Sequence, residues 1–214
     1  MVAIAPIYRV LGISPNGQTL YVTYILPVAQ EWHMQGFALL DMTSGKLEKI
    51  WPSEPSPTYY SFRLIILPDG SPRVLFVDGG QEPGGTVFTR PVNIWMLNPE
   101  SRQAESIWTV THSTPSPKGA TAVYAFPESL VWSFQSNQQF IYRASGLEDS
   151  RLWRVDLAGN KEIPLGETTG DLRAWTPKGI IVAHSGSGIL QLLDESGHLQ
   201  GEINLGYIAP ERIP

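Results

Sequence analysis

Apolar residues along this 214-residue chain fall in short runs, each closed by a cluster of Gly, Pro, Asn, Asp or Ser. Such runs predict β-strands, and no stretch sustains the i, i+3, i+4 apolar spacing of an amphipathic helix. The runs form two patterns that alternate. The first is an apolar strand, a tight turn and a second apolar strand. It covers Tyr8–Tyr24 (turning at Pro15-Asn16-Gly17), Phe62–Asp78 (Pro68-Asp69-Gly70), Leu130–Tyr142 (Ser136-Asn137) and Asp171–Ala183 (Pro177-Lys178-Gly179). The second is an apolar strand running to Asp or Asn, then a turn of small residues. It covers Phe37–Gly45, Val92–Ser101, Arg151–Gly159 and Ile189–Gly197, each followed by one more strand.

The turn chemistry suits hairpins. Asn-Gly and Asp-Gly accept positive φ, and Pro before them sets an extended entry. Asp41, Asp156 and Asp194 sit at strand ends, where a carboxylate accepts hydrogen bonds from the backbone of the following turn. Their expected role is structural. Four repeats of two hairpins make sixteen strands, which predicts an all-β protein: a β-propeller of four tandem four-stranded blades, approximately 8–52, 61–111, 129–166 and 170–206, in one domain. A β-sandwich or plain meander would use the same turns, but the strict fourfold alternation favours blades.

These residues resemble the TolB-like (PD40, WD40-like) repeats of bacterial propellers, in which a blade reads Ser-Pro-Asp-Gly, an apolar strand, then an apolar strand running to Asp and a Gly turn. Ser14–Thr23 is also similar to the YVTN-type repeat. The resemblance extends from about Tyr8 to Gly206 and lacks the His and Trp-Asp features of eukaryotic WD40 repeats. It implies the fold and leaves the function open, because such blades serve as binding scaffolds, peptidase gates and enzymes. Only Val2–Ile7 and Tyr207–Pro214 remain outside the repeats, and Ile208-Ala209-Pro210 echoes Ile4-Ala5-Pro6. The expectation is that these blades form half or more of a larger propeller, or close by self-association.

Charge narrows the partners. The net charge is −5, and the 15 Lys and Arg form no run, which argues against nucleic acid. No apolar stretch reaches the ~18 residues of a membrane span, so no membrane insertion is expected. The N-terminal segment has no charged region of a secretory signal. Zero cysteines exclude disulfides and thiolate chemistry and leave the compartment open.

Function is expected on the long links between hairpins, since the turns inside the patterns are short. Glu31-Trp32-His33-Met34 sets an aromatic beside a carboxylate and an imidazole, suited to a sugar, a peptide end or a metal; the plainer reading is a loop tucked down by Trp32. Tyr59 and Tyr60 offer an aromatic ledge. Asp78 and Glu82 lie in a Gly-rich link without phosphate-loop or calcium-loop spacing, and a simple connection is the plainer reading. His112 opens a Pro- and Ser-rich run that reads as a tether, and Ala120–Phe126 reads as an extra strand or a lid. The four histidines, 33, 112, 184 and 198, have no metal-site spacing, so neither metal nor cofactor is expected. His184-Ser185-Gly186-Ser187-Gly188 lacks the Gly two places before Ser that a nucleophile elbow needs. No catalytic residue stands out. The leading expectation is a non-enzymatic binding or scaffold propeller presenting a loop-rich face to a protein, peptide or glycan. The alternative is the propeller portion of a hydrolase, drawing on Glu31, Asp78, Glu82 and Asp149.

Overall fold

The computed structural model describes residues 7–25, 35–52, 62–78, 92–110, 124–145, 150–168, 170–184 and 187–206. They form sixteen strands in four antiparallel four-stranded sheets, a β-propeller of four blades. Blade 1 holds β1 (Ile7–Ile13), β2 (Thr19–Ile25), β3 (Gln35–Asp41) and β4 (Leu47–Trp51). Blade 2 holds β5 (Phe62–Ile66), β6 (Pro72–Asp78), β7 (Val92–Asn98) and β8 (Gln103–Val110). Blade 3 holds β9 (Tyr124–Trp132), β10 (Gln139–Ser145), β11 (Ser150–Asp156) and β12 (Lys161–Glu167). Blade 4 holds β13 (Asp171–Thr176), β14 (Gly179–His184), β15 (Ile189–Leu193) and β16 (Leu199–Asn204). Each sheet is a meander in sequence order, and the first strands β1, β5, β9 and β13 lie side by side in succession.

The turns form as the sequence dictates. Asp41 Oδ1 accepts from the backbone N–H of Thr43 (3.1 Å) and Ser44 (2.6 Å), and Asp194 Oδ1 from Ser196 (2.8 Å) and His198 (2.9 Å). Asn98 and Asp156 cap their turns in the same way. The β9–β10 turn has neither Pro nor Gly, and here Ser133 Oγ accepts from the N–H of Gln135 and of Ser136, both at 3.1 Å. A hydroxyl does here what a carboxylate does in the β3–β4 and β15–β16 turns.

These bonds favour the ionised acid. Backbone donation from Ser44 holds the Asp41 carboxyl below its usual range, the Ser71 hydroxyl does so for Asp69, and backbone donation from His198 does so for Asp194. A depressed folded-state pKa contributes stability above the unfolded value near ~3.9 that is lost as pH falls through the folded value. Urea unfolding between pH 7 and 2 is expected to lose stability below about pH 4. Replacing Asp41 and Asp194 by Asn, which keeps an acceptor and cannot titrate, makes that acid limb shallower.

The core consists of three apolar clusters, one at each junction between successive blades. Phe37 of blade 1 meets Phe62 and Phe76 of blade 2, with Trp51 tilted against Phe76 and Trp95. Leu75, Ile94 and Met96 of blade 2 meet Leu130, Phe140 and Tyr142 of blade 3. Val131, Ile141 and Leu165 of blade 3 meet Leu172, Trp175, Ile180 and Val182 of blade 4. Alternate residues of one strand thus enter different clusters. This explains why Val74-Leu75-Phe76-Val77 and Phe140-Ile141-Tyr142 are continuous apolar runs: both faces of those sheets are covered.

Polar clasps cross the same junctions. Arg63 Nη1 donates to the Leu130 carbonyl at 2.6 Å, and Asn137 Nδ2 to Asp69 Oδ2 at 2.9 Å. Tyr142 donates its hydroxyl to Glu162, which also accepts from Trp108 Nε1. Burial, with that carboxylate beside it, pushes the Tyr142 phenol far above its usual range, so it remains the donor.

Candidate functional site

The topology divides each blade into two ends. Hairpin turns within the repeats gather at one end; at the other, chain leaves β2, β4, β6, β8, β10, β12 and β14 and returns in the next strand. Glu31, Trp32 and His33 fall between β2 and β3, and Tyr59 and Tyr60 between β4 and β5. Glu82 falls between β6 and β7, and His112 between β8 and β9. These residues, and Asp149, lie outside the described residues. Asp78 is the last residue of β6, with its backbone paired to Asn93; its side chain also lies outside them. The links that carry these candidates therefore leave from and return to strand ends on one side of the sheets.

At that same end the structure builds a polar group which the sequence did not single out. Arg143, near the end of β10, is 16% exposed; its Nη1 donates to the Gly170 carbonyl at 2.7 Å and pairs with Asp171 Oδ1 at 3.3 Å. Arg173 Nη2 reaches Asp171 Oδ2 at 3.1 Å, so one carboxylate meets two guanidinium groups across the junction of blades 3 and 4. Gly170 is required there, because a Cβ would stand 2.3 Å from Val182 Cγ1. Beside it, His184 Nε2 lies 2.8 Å from Gln191 Oε1, and Gln191 Nε2 donates to Glu202 Oε2 at 3.1 Å. With its amide oxygen facing the ring, Gln191 Oε1 accepts a hydrogen bond from His184 Nε2–H.

This arrangement orients the side chains and neutralises their charge. Ser187 Oγ donates to the His184 carbonyl oxygen at 3.3 Å rather than to the ring. Among the described residues, no three of His, Asp and Glu converge as a metal site. Clefts in the described residues lie elsewhere. One of about 320 Å³ is lined by Ser14, Asn16, Tyr21, Glu100 and Arg102, and one of about 410 Å³ by Arg73, Met96, Asn98 and Glu105. Both sit among the hairpins, and both are shallow enough that their walls already serve turns and ion pairs such as Arg102–Glu48 at 3.0 Å. The signal that could have found Arg143 and Asp171 is pairing between blades, which one strand pattern does not encode.

No family model matches the sequence, and no curated protein matches it. Solved structures do match by fold. TolB from Acinetobacter baumannii is similar over 90% of this chain and 42% of its own, at 12% identity and a TM-score of 0.54. The nidogen/laminin complex is similar over 88% and 60%, at 10% identity and a TM-score of 0.55. Oligogalacturonate lyase from Vibrio parahaemolyticus is similar over 94% and 53%, at 11% identity and a TM-score of 0.58. The chain thus spans about two fifths to three fifths of each of these chains. Its fold is that of a β-propeller.

Proposed function

We propose that this propeller is a non-enzymatic binding or scaffold domain that presents its link-bearing end to a partner. A protein or peptide is the first expectation and a glycan the second. The observation that carries this reading is the asymmetry of the two ends. The hairpin end is closed by tight turns whose polar groups bond to themselves. The opposite end receives every long segment of the chain, including Trp32, Tyr59 and Tyr60. Long segments on a rigid sheet scaffold are where recognition concentrates, and aromatic side chains supply most of its energy. A protein complex among the structural neighbours, nidogen with laminin, supports a protein partner in general.

The test is affinity capture with the intact chain, followed by binding measurements on Trp32→Ala and Tyr60→Ala. Each is expected to weaken the captured interaction by ~10-fold or more. If both variants bind as the parent does, the partner does not sit on this end. A second reading, an enzyme, is favoured by the likeness to oligogalacturonate lyase over 94% of the chain. Turnover of any ester, lactone, glycoside, uronide or peptide in a panel assayed with and without divalent cations would replace the scaffold reading.

A further inference from the structure

We propose that the cleft between blades 1 and 2 at the hairpin end binds a neutral sugar unit. It is a second site, at the end opposite the links, and it stands or falls apart from the partner proposed for that other end.

One wall of the cleft departs from the pattern of the blades. Each third strand runs to a turn Asp or Asn. The residue paired with the position two before it is Leu75 in blade 2, Ile141 in blade 3 and Ile181 in blade 4. In blade 1 the same place, paired with Leu39, is Tyr21. Leu75 and Ile141 are fully buried in the junction clusters, as apolar side chains should be there. The Tyr21 ring also packs inward, 6.3 Å from that of Phe37, and the residue is only 3% exposed. A phenol so placed normally pairs its hydroxyl. This one has no hydrogen-bond partner among the described residues and lines the cleft instead. Burial, and then the Glu100 carboxylate, hold it above its usual pKa, so it keeps its proton.

The opposite wall is the β7–β8 turn, and it holds a second departure. Counted from Asn98, the fifth residue is Arg102, with φ at 62°; the same place is Gly45 (69°) in blade 1 and Asn160 (44°) in blade 3. Glycine enters the left-handed region freely and asparagine readily, whereas a long L side chain is strained there. Arg102 Nη2 does meet Glu48 Oε2 at 3.0 Å, but the two side chains are 56% and 41% exposed, and ion pairs so open to water contribute little. The pair does not offset the strain. Strain held without a structural return collects at binding sites.

The cleft has about 320 Å³, within the range of small-ligand sites. Its lining selects the ligand. The Glu100 carboxylate, unpaired among the described residues, only accepts hydrogen bonds. Asn16 Oδ1 is occupied by the Ser14 hydroxyl at 2.6 Å and the Gln18 N–H at 3.0 Å, which leaves its Nδ2 to donate, as Arg102 does. The Tyr21 and Thr19 hydroxyls do both. An anion such as phosphate brings acceptors only and is repelled by Glu100. An ammonium brings donors only and meets Arg102. Sugar hydroxyls donate and accept together, and they satisfy the whole set without adding charge.

The probes are the methyl glycosides of glucose, galactose and mannose, with maltose, cellobiose and lactose, followed by ligand-observed NMR on the intact chain. At least one is expected to bind with a Kd on the order of 1 mM. Inorganic phosphate and methylammonium at the same concentration should not bind. Equal affinity for a methyl glycoside and its disaccharide assigns the site to a free sugar; tighter binding of the disaccharide assigns it to the end of a glycan. Tyr21→Phe removes one oxygen and Glu100→Gln one charge, and each should weaken binding by ~10-fold or more. Arg102→Gly should weaken binding as well, yet raise the melting temperature by about 2–4 °C as the strain is released. A panel in which no sugar binds overturns the proposal, as does binding that all three variants retain. Preference for phosphate or methylammonium overturns the choice of ligand. A lower melting temperature for Arg102→Gly overturns it too, because the arginine then serves the Glu48 pair. A sugar lost in Trp32→Ala and kept in Tyr21→Phe sits at the links and not in this cleft.

Discussion

Phe76→Ala is expected to remove about 3–5 kcal/mol of stability, the upper range for a large-to-small change. The Phe76 ring is fully buried and lies 5.1 Å from Trp51, 5.3 Å from Phe62 and 6.0 Å from Trp95, with which it is stacked. Trp51 belongs to blade 1 and the other two to blade 2, so the lost ring both supported its own sheet and filled the junction. Rings held on β-strands across two sheets cannot collapse into the space, and the cavity term is therefore added to the transfer term. A domain of this kind has about 5–15 kcal/mol in total, so a fifth or more of it rests on this side chain. Phe76→Leu, which keeps much of the volume, should cost less than about 1.5 kcal/mol. Urea unfolding followed by near-ultraviolet circular dichroism reads both variants. A loss under about 1 kcal/mol for alanine would mean that the blade 1–blade 2 junction is not packed as described.

The second large effect is backbone strain. Gly179 follows the Pro177-Lys178 turn with φ at 134°, and a Cβ there would stand 2.1 Å from the Leu193 carbonyl oxygen. The obstacle is main chain in the neighbouring strand of the same sheet, not a side chain that can swing aside. Alanine at this position must either separate β14 from β15 or force φ out of the turn. The expected cost is about 2–4 kcal/mol, combining a sterically disfavoured φ with a displaced ladder. Hydrogen exchange checks it: amides of β14 and β15 should lose protection while those of blades 1 and 2 keep theirs. Equal protection throughout would show that the turn accommodates a side chain after all.

The hairpins were legible because their chemistry is local. Asp41, Asn98, Asp156 and Asp194 each act on the next few residues, and a pattern of strand, acid and small turn carries that information in sequence. What was less legible is what depends on contacts between blades. From sequence, blade 3 is expected to start at about residue 129, with Ala120–Phe126 set apart as an extra strand or a lid, yet β9 starts at Tyr124 and runs to Trp132: Ala144 pairs with Ala125 and Tyr142 with Leu130, and the extra residues between them form an irregularity in one strand. Arg143 is an unremarkable arginine on a strand until blade 4 brings Gly170 and Asp171 against it. The polar chain His184–Gln191–Glu202 crosses three strands of one sheet at a register that only the folded pairing defines. The links carrying Glu31, Trp32, His33, Tyr59, Tyr60, Glu82 and His112 open from the same end of the sheets because strands alternate in direction, a property of topology and not of those residues.

Every strand in this molecule pairs within its own sheet and with its neighbours in sequence. Under tension applied to the chain ends, such a sheet is not sheared along its length. It is peeled from its outer strand, breaking one pair of hydrogen bonds after another at low load. A blade released this way adds about 15 nm of slack, taking some ~3.6 Å per residue. A single molecule stretched between its termini should therefore give way in a staircase of small steps, one for each blade and shortest for blade 4, and not in one rupture.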